Sequence, residues 1–236
     1  MAGDTRNLPA QAAERTAVDA FLRDLAKAPV PVGSGGPGRL VFALDATASR
    51  QPTWDRACHI QAEMFAEAAS VGGLAIQMCY FRGYGEFAAA PWLADAEALI
   101  RRMTQVTCLS GTTQIARVLR HVIDEASKGR VNALVYVGDC MEEDAAALAD
   151  LAGRLGLLGV PAFLFQEGRE PRARHAFQEI ARLTRGAYMS FDSASAQALR
   201  DLLKAVAVYA AGGPKALRHY AEKTGGEVLR LTAQLS

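Results

Sequence analysis

Arg39-Leu-Val-Phe-Ala-Leu-Asp-Ala-Thr-Ala-Ser49 is the stretch of sequence that decides the fold. Its apolar run at 40–44 predicts a short strand buried on both faces, which is typical of a parallel sheet. The strand leads directly into Asp45, and hydroxyl residues follow at Thr47 and Ser49. Three oxygen side chains therefore leave the end of a buried strand within one short loop. Such a set of oxygen ligands suits a hard cation such as Mg²⁺.

Two further oxygen donors lie near the ends of other predicted elements. Thr113 precedes a predicted helix in the run Ser-Gly-Thr-Thr-Gln, and Asp139 follows the apolar run Ala-Leu-Val-Tyr-Val-Gly. Ligands of an open α/β sheet bind beyond the carboxyl ends of the strands, at the point where the strand order reverses. In the common order 3-2-1-4-5-6, Asp45 and Asp139 would face each other across this point, below the loop that carries Thr113.

Apolar strands alternate with amphipathic helices along most of the chain. The pattern predicts helices at 9–28, 52–70, 92–104, 113–127, 143–157, 173–184 and 194–210. It predicts strands at 40–44, 74–81, 86–90, 133–137, 162–165 and 187–191. The strand at 86–90 turns back after Gly83-Tyr-Gly85, so we expect it at an antiparallel edge. Regular alternation predicts an α/β fold: a doubly wound, mostly parallel sheet with one antiparallel edge strand and helices on both faces.

The predicted organisation is a main domain with an extension at each end. Residues 1–38 hold the first helix and a linker rich in Gly and Pro, which cannot continue a helix. Residues 39–211 form the main α/β domain. Residues 212–236 are expected to extend the same domain by a helix and a strand, because 216–231 aligns without gaps on the helix–Gly–strand pattern of 176–191.

The composition is that of a soluble globular protein. The chain has 236 residues, of which 50% are hydrophobic and 22% charged, and its formal net charge is +1. With so little net charge, we expect neither a nucleic acid nor a membrane surface as the partner. The scattered arginines are interpreted as solvated helix faces.

The cysteines and the N-terminus favour a cytoplasmic protein. Cys58, Cys79, Cys108 and Cys140 form no Cys-x-x-Cys pair, so we expect reduced thiols. The N-terminus lacks the apolar segment of a secretory signal, and no apolar run is long enough to predict a membrane span.

Three motifs, taken in their order along the chain, resemble the metal-ion-dependent adhesion site (MIDAS) of von Willebrand factor A (VWA) domains. They are Asp45-x-Thr47-x-Ser49, Gly111-Thr-Thr113 before a helix, and Val137-Gly-Asp139 after a strand. The resemblance covers about residues 39–211 and is to VWA domains of the intracellular bacterial type. It implies the Rossmann-like VWA fold and a bound Mg²⁺, with Mn²⁺ or Ca²⁺ as alternative cations.

The resemblance implies metal ligands and no catalytic residue. The implied ligands are Asp45, Thr47, Ser49, Thr113 and Asp139. The two aspartates would hold the metal directly or through water, and Thr113 would add its hydroxyl in the ligand-bound form. A carboxylate from a partner protein would fill the open position, because two carboxylates and neutral hydroxyls leave residual positive charge. The implied function is Mg-dependent protein binding, for example as an adaptor in an AAA-type ATPase assembly, and not catalysis.

The chain departs from the family pattern at two places. Thr47 replaces the usual serine but keeps the hydroxyl oxygen. Gly138-Asp139-Cys140 stands where the family has Thr-Asp-Gly, so one neighbouring hydroxyl is missing and a thiol takes the place of glycine. Thr112 is an alternative to Thr113, which we prefer because Gly-x-Thr-x-Ile-Ala matches the family spacing before the helix.

The site residues also have a purely structural interpretation. Thr47 and Ser49 could cap the following helix, and Asp139 could cap the helix after it. The acidic run 142–144 is expected to interact favourably with the positive N-terminal end of the predicted helix 143–157, without selecting a ligand.

Two other functions are alternatives to metal-dependent binding. Asp45 stands where phosphatase-type α/β enzymes of the haloacid dehalogenase class carry their nucleophile. Phosphoryl transfer of that kind needs a second carboxylate two residues on, where this chain has Thr47, and a lysine, which the other two site motifs lack. The second alternative is a structural subunit without a metal, which the changes at Gly138 and Cys140 leave open.

Overall fold

The computed structural model describes residues 8–29, 37–54, 73–192 and 196–224. In chain order its strands are β1 (Gly38–Asp45), β2 (Leu74–Arg82), β3 (Glu86–Ala89), β4 (Ala133–Gly138), β5 (Ala162–Glu167) and β6 (Ala187–Phe191). Its helices are α1 (Leu8–Lys27), α2 (Ala96–Met103), α3 (Ile115–Lys128), α4 (Ala145–Leu157), α5 (Pro171–Thr184) and α6 (Ala196–Thr224). A short 3-10 helix, Ala48–Thr53, follows β1.

The strands form one sheet in the order β3-β2-β1-β4-β5-β6. Every neighbouring pair is parallel except β2 and β3, which are antiparallel. The strand order reverses at β1, because this strand pairs with β2 on one side and with β4 on the other. The predicted doubly wound sheet with its antiparallel edge strand is confirmed, and the ends of β1 and β4 flank the point of reversal.

Alternate side chains of β1 pack into two separate cores. Leu40, Phe42 and Leu44 are fully buried against α1, α2 and α6, whereas Val41 and Ala43 are buried against α3, α4 and α5. Burying each large apolar side chain contributes about 1.5–3 kcal/mol. The strand that leads into Asp45 is therefore held from both sides, so the carboxylate lies on a rigid support.

Helix α1 packs on the sheet. Phe21 lies against Phe163 and Phe165 of β5, with ring centroids 6.0 and 5.1 Å apart. Contacts with β6 and α6 continue this interface. The predicted helix at 9–28 is confirmed and belongs to the same core as the sheet.

Most element boundaries differ from the prediction by one or two residues, and two differ by more. Helix α2 begins at Ala96 and not at 92, because Asp95 accepts a hydrogen bond from the Glu97 N–H at 2.9 Å and caps the helix there. Helix α6 runs past the expected end at 210 to Thr224, with a kink at Gly213, where φ is 67°. The residue after the kink, Pro214, has no N–H to donate within a helix.

Three predicted segments fall wholly or partly outside the described residues. They are most of the Gly/Pro linker, the helix at 52–70 beyond residue 54, and the C-terminal strand of the expected extension. The helical part of that extension is observed, since residues 214–224 are helical.

Candidate metal site

Three loops meet at the carboxyl ends of β1 and β4. The Leu109 N–H donates to the Ala46 carbonyl at 3.1 Å and ties the loop before α3 to the loop after β1. The Glu142 N–H donates to Thr113 Oγ1 and the Thr113 N–H donates to Glu142 Oε2, both at 3.1 Å. This reciprocal pair ties the loop before α3 to the loop after β4.

Asp45 is fully buried at the end of β1. Its Oδ1 accepts the Thr47 N–H at 2.8 Å, whereas its Oδ2 is buried without a hydrogen-bond partner in the described part of the chain. Burial raises the pKa of this carboxyl to about 6, and the charge of Asp139 adds to the rise. A buried polar atom without a partner costs about 1–3 kcal/mol. Oδ2 of Asp45 is thus available to a ligand. Its burial without a partner lowers the stability of the protein when no ligand is bound.

Asp139 supplies a second oxygen of this kind. It follows β4 and is half-buried, and its Oδ1 is buried with no hydrogen bond to any residue that the structure describes. If Asp139 capped a helix, this oxygen would accept a backbone N–H. The capping interpretation therefore does not explain why the oxygen has no partner. Two carboxylate oxygens without partners at neighbouring strand ends fit a cation.

The hydroxyls of Thr47 and Ser49 are paired, with Oγ1 and Oγ 3.1 Å apart. Thr47 occupies the N-cap position of the 3-10 helix, but its side chain makes no capping hydrogen bond. Thr47 is held beside Asp45 by its N–H, and Ser49 is paired with Thr47, so both hydroxyls are neutral oxygen donors in the same loop. Together with the two free carboxylate oxygens they form a donor set of the type that Mg²⁺ takes.

Thr113 lies at the edge of this group. Its side chain is buried, whereas that of Thr112 is exposed. The hydrogen bonds of Thr113 run to Glu142 and not to either site aspartate. The structure thus places Thr113 on a loop joined to that of Asp139, with no hydrogen bond between the two side chains.

The prediction that the whole acidic run 142–144 serves the following helix is wrong for its first two residues. Asp144 does cap α4, accepting the Ala147 N–H at 2.8 Å. The Glu143 carboxylate instead accepts the N–H groups of Ile115 and Ala116, at 2.5 and 2.9 Å, in the first turn of α3. The first N–H groups of that helix have no partner within the helix, and the side chain of Gln114 at its N-cap makes no capping hydrogen bond to them.

Arg50 is a site neighbour that the sequence pattern did not reveal. It is only 1% exposed, and its Nε lies 3.0 Å from Glu167 Oε2 at the end of β5. The Thr53 hydroxyl donates to the same carboxylate oxygen at 3.0 Å. The interpretation of every arginine as a solvated helix face is therefore wrong for Arg50, because its partner comes from a strand far away in the sequence.

Tyr136 explains why glycine replaces threonine at position 138. Alternate residues of a strand share a face. The ring of Tyr136 extends over Gly138, where an added Cβ would lie 2.5 Å from the phenol oxygen. That oxygen is buried and, among the described residues, has no hydrogen-bond partner. A tyrosine hydroxyl thus occupies the space beside the missing threonine side chain.

We expect Gly138→Ala to destabilise the protein by about 1–3 kcal/mol, the usual cost of inserting an atom into a packed core. Chemical denaturation measures this change. Gly153→Ala in α4 is the control, because its new Cβ would have no heavy atom within 4 Å. Equal stabilities of the two variants would contradict the assignment of this space to Tyr136.

The cysteines near the site are neutral thiols. Burial raises the pKa of both Cys108 and Cys140 to about 11. Cys79 is buried in the sheet, and these three cysteines are free, as predicted. Within the described ranges no group of three or more His, Cys, Asp or Glu side chains is arranged to hold a metal. The candidate donors are therefore two carboxylates and hydroxyls.

No protein-family profile and no curated protein matches the sequence. Solved structures do match its fold. A von Willebrand factor type A structure from Catenulispora acidiphila has a TM-score of 0.57 and 17% identity, over 74% of this chain and 44% of that chain. The SpRpn10 VWA domain has a TM-score of 0.57 and 13% identity, over 71% and 94%. An aerotolerance-related membrane protein from Bacteroides fragilis has a TM-score of 0.56 and 14% identity, over 70% and 98%.

These matches establish a VWA-like, Rossmann-type α/β fold, as the resemblance predicted. At identities of 13–17% they establish the fold alone. None of the helices in the described ranges combines the length and the apolar character that crossing a bilayer requires.

Proposed function

We propose that this protein is a protein-interaction module that binds an acidic side chain of its partner through Mg²⁺. The observation that carries the proposal is the pair of buried carboxylate oxygens without partners, Asp45 Oδ2 and Asp139 Oδ1, at the point of strand reversal. Both belong to residues that the VWA resemblance assigns to the metal. Mn²⁺ and Ca²⁺ have the same preference for oxygen and are alternative cations.

Each site residue has a defined part in this proposal. Asp45 and Asp139 hold the cation and neutralise its charge, and the hydroxyls of Thr47 and Ser49 contribute neutral oxygens. When bound, Mg²⁺ supplies the positive charge that attracts a partner's carboxylate. Thr113 adds its hydroxyl in the ligand-bound form, and its bonds to Glu142 keep that loop beside the one that follows β4.

The VWA-like fold supports the choice of a protein as partner, since two of the matched structures carry the VWA name. The proposal places the protein in the cytoplasm, without enzymatic activity, and includes an AAA-type ATPase assembly among its partners. It also keeps the predicted organisation, in which 39–211 is the VWA-like domain, 1–38 precedes it and 212–236 extends it.

One observation favours the alternative of a metal-free structural subunit. The buried guanidinium of Arg50 already provides a positive charge next to the site. No observation favours the phosphatase alternative, because Asp45 is fully buried and Thr47 stands where the second carboxylate is required.

A displayed peptide library tests the proposal. In Mg²⁺ the protein should select peptides that contain Asp or Glu, and their binding should be lost in EDTA or when that residue becomes Asn or Gln. Selected peptides whose affinity is the same in Mg²⁺ and in EDTA would contradict the metal mechanism.

We expect Thr113→Ala to weaken the selected peptides at least tenfold, about 1.4 kcal/mol, because it removes the hydroxyl that joins the ligand-bound site. Thr113→Ser, which keeps the oxygen, should retain most of the affinity. Thr112→Ala is the matched control, since the Thr112 side chain is exposed, and should bind as wild type does. A larger loss for Thr112→Ala than for Thr113→Ala would reverse the assignment of the two threonines. Affinities come from fluorescence titration with the labelled peptide.

A further inference from the structure

Arg50 turns inward from an otherwise exposed segment. It follows Ser49 in the 3-10 helix, and its neighbours Ser49 and Gln51 are both exposed. Arg50 itself is among the largest fully buried side chains. The guanidinium group carries a positive charge, so this burial places a positive charge inside the protein.

The guanidinium reaches from the loop after β1 to the end of β5. Its Nε lies 3.0 Å from Glu167 Oε2. Because β4 lies between β1 and β5 in the sheet, the loop after β1 and the Arg50 side chain together bridge the distance from β1 past the neighbouring strand β4 to β5. Arg50 therefore lies along the row of strand ends that carries both site carboxylates.

Glu167 satisfies only part of the guanidinium. The contact with Glu167 is an ion pair, and Nε, Nη1 and Nη2 are all buried without a hydrogen-bond partner in the part of the chain that the structure describes. Glu167 is itself shared with the Thr53 hydroxyl and is 18% exposed in its side chain. A buried charge that is incompletely paired is costly unless other charges compensate it.

The site carboxylates provide that compensation. Arg50 lies in the 3-10 helix that follows Asp45, and its buried guanidinium reaches the end of β5, so both site carboxylates lie at strand ends beside it. Arg50 thus interacts favourably with the same carboxylate that would hold a cation. The interaction stabilises the protein without metal, and the same positive charge repels an incoming divalent ion.

We propose that Arg50 is an internal counter-cation that sets the metal affinity of the site, stabilising the metal-free carboxylates and weakening the binding of the divalent ion. This inference rests on the proposed function. Its consequence is that metal and acidic partner bind cooperatively, because a partner's carboxylate offsets the excess positive charge of the metal and Arg50 together.

A Mn²⁺ titration followed by EPR tests the inference on four proteins: wild type, Arg50→Met, Arg50→Lys and Glu167→Gln. Arg50→Met keeps a side chain of similar length without the charge and should bind Mn²⁺ at least tenfold more tightly. Arg50→Lys keeps the charge and should stay near the wild-type affinity. Glu167→Gln removes the neutralising partner of Arg50 and should bind Mn²⁺ more weakly.

Thermal unfolding provides a second readout. In EDTA, Arg50→Met should unfold at a lower temperature than wild type. Saturating Mn²⁺ should make the difference between the two unfolding temperatures smaller. A purely structural arginine would give the same loss with and without Mn²⁺ and leave the Mn²⁺ affinity unchanged, which would overturn the inference. If Arg50→Met does not fold, Glu167→Gln decides: weaker binding supports the inference and unchanged binding overturns it.

The same titration separates this inference from the proposed function. Equal Mn²⁺ affinities in wild type and Arg50→Met would overturn the role of Arg50 and leave the metal site intact. An absence of Mn²⁺ binding in all four proteins would overturn both. Tight binding in Arg50→Met alone would support the inference and assign the wild-type protein to its metal-free state.

Discussion

Asp45→Asn is expected to abolish Mn²⁺ binding and, in the same protein, to raise the free energy of unfolding without metal at pH 8. Asparagine keeps an oxygen that can accept the Thr47 N–H, a bond of 2.8 Å in the wild type. It removes the negative charge that burial disfavours. A residue that costs stability and is needed for binding is the signature of a functional site and not of a structural one.

The sign of the effect follows from the pKa of Asp45. Burial raises this pKa from 3.8 to about 6, so between these values the folded protein binds more protons at this group than the unfolded chain does. The Asp45 contribution to stability therefore falls as the pH rises through this window. The shift corresponds to about 3 kcal/mol at 1.36 kcal/mol per pKa unit. The stability of Asp45→Asn does not decrease in this way. Its free energy of unfolding should therefore exceed that of wild type by the full amount above pH 6 and by little near pH 4.

Urea denaturation in EDTA at several pH values measures this difference. Asp144→Asn is the matched control: its carboxylate caps α4 at the surface, so the change should leave Mn²⁺ binding intact and bring no gain in stability. Lower stability of Asp45→Asn than of wild type at pH 8 would show that the carboxylate is satisfied in the free protein and would contradict the site as described.

Gly111→Ala is expected to damage both the fold of the site and its binding. A Cβ at Gly111 would lie 2.0 Å from the carbonyl oxygen of Gly83 and 2.3 Å from its carbonyl carbon. Both are backbone atoms in the turn between β2 and β3, so no side-chain rotation relieves the contact. The loop that carries Thr113 must then move away from this turn. We expect a loss of about 3 kcal/mol in stability and at least a tenfold loss of Mn²⁺ affinity in the presence of acetate.

The control for Gly111→Ala is Gly153→Ala, which adds the same atom in open space on α4. That change should raise stability slightly, by up to about 1 kcal/mol, because alanine favours the helix. Thermal unfolding and the Mn²⁺ titration are measured on both variants. If Gly111→Ala matched wild type in both, the close packing of this loop on the hairpin would have no part in forming the site.

The fold and the placement of the two aspartates could be predicted from the sequence. The apolar strands at 40–44 and 133–137 alternate with helices, and this alternation predicts parallel strands whose carboxyl ends meet at one edge. Asp45 and Asp139 each follow such a strand, so the topology alone brings them to the same crevice. Their hydrogen-bond state depends on burial and could only be seen in the structure.

The rest of the site depends on contacts between residues far apart in the chain. Arg50 meets Glu167, and Glu143 meets the first turn of α3, through the packing of three loops that no local pattern encodes. The Tyr136–Gly138 contact did leave a sequence signal. A bulky residue two positions before a glycine in a strand lies on the same face and can fill the space that the glycine leaves.

The most direct test of the account is a Mn²⁺ titration of the wild-type protein by EPR, with and without excess acetate. The account predicts a single Mn²⁺ ion per chain, bound more tightly in acetate, and no such ion in Asp45→Asn. Absence of binding in wild type, or equal binding in Asp45→Asn, would contradict a metal site at the ends of β1 and β4.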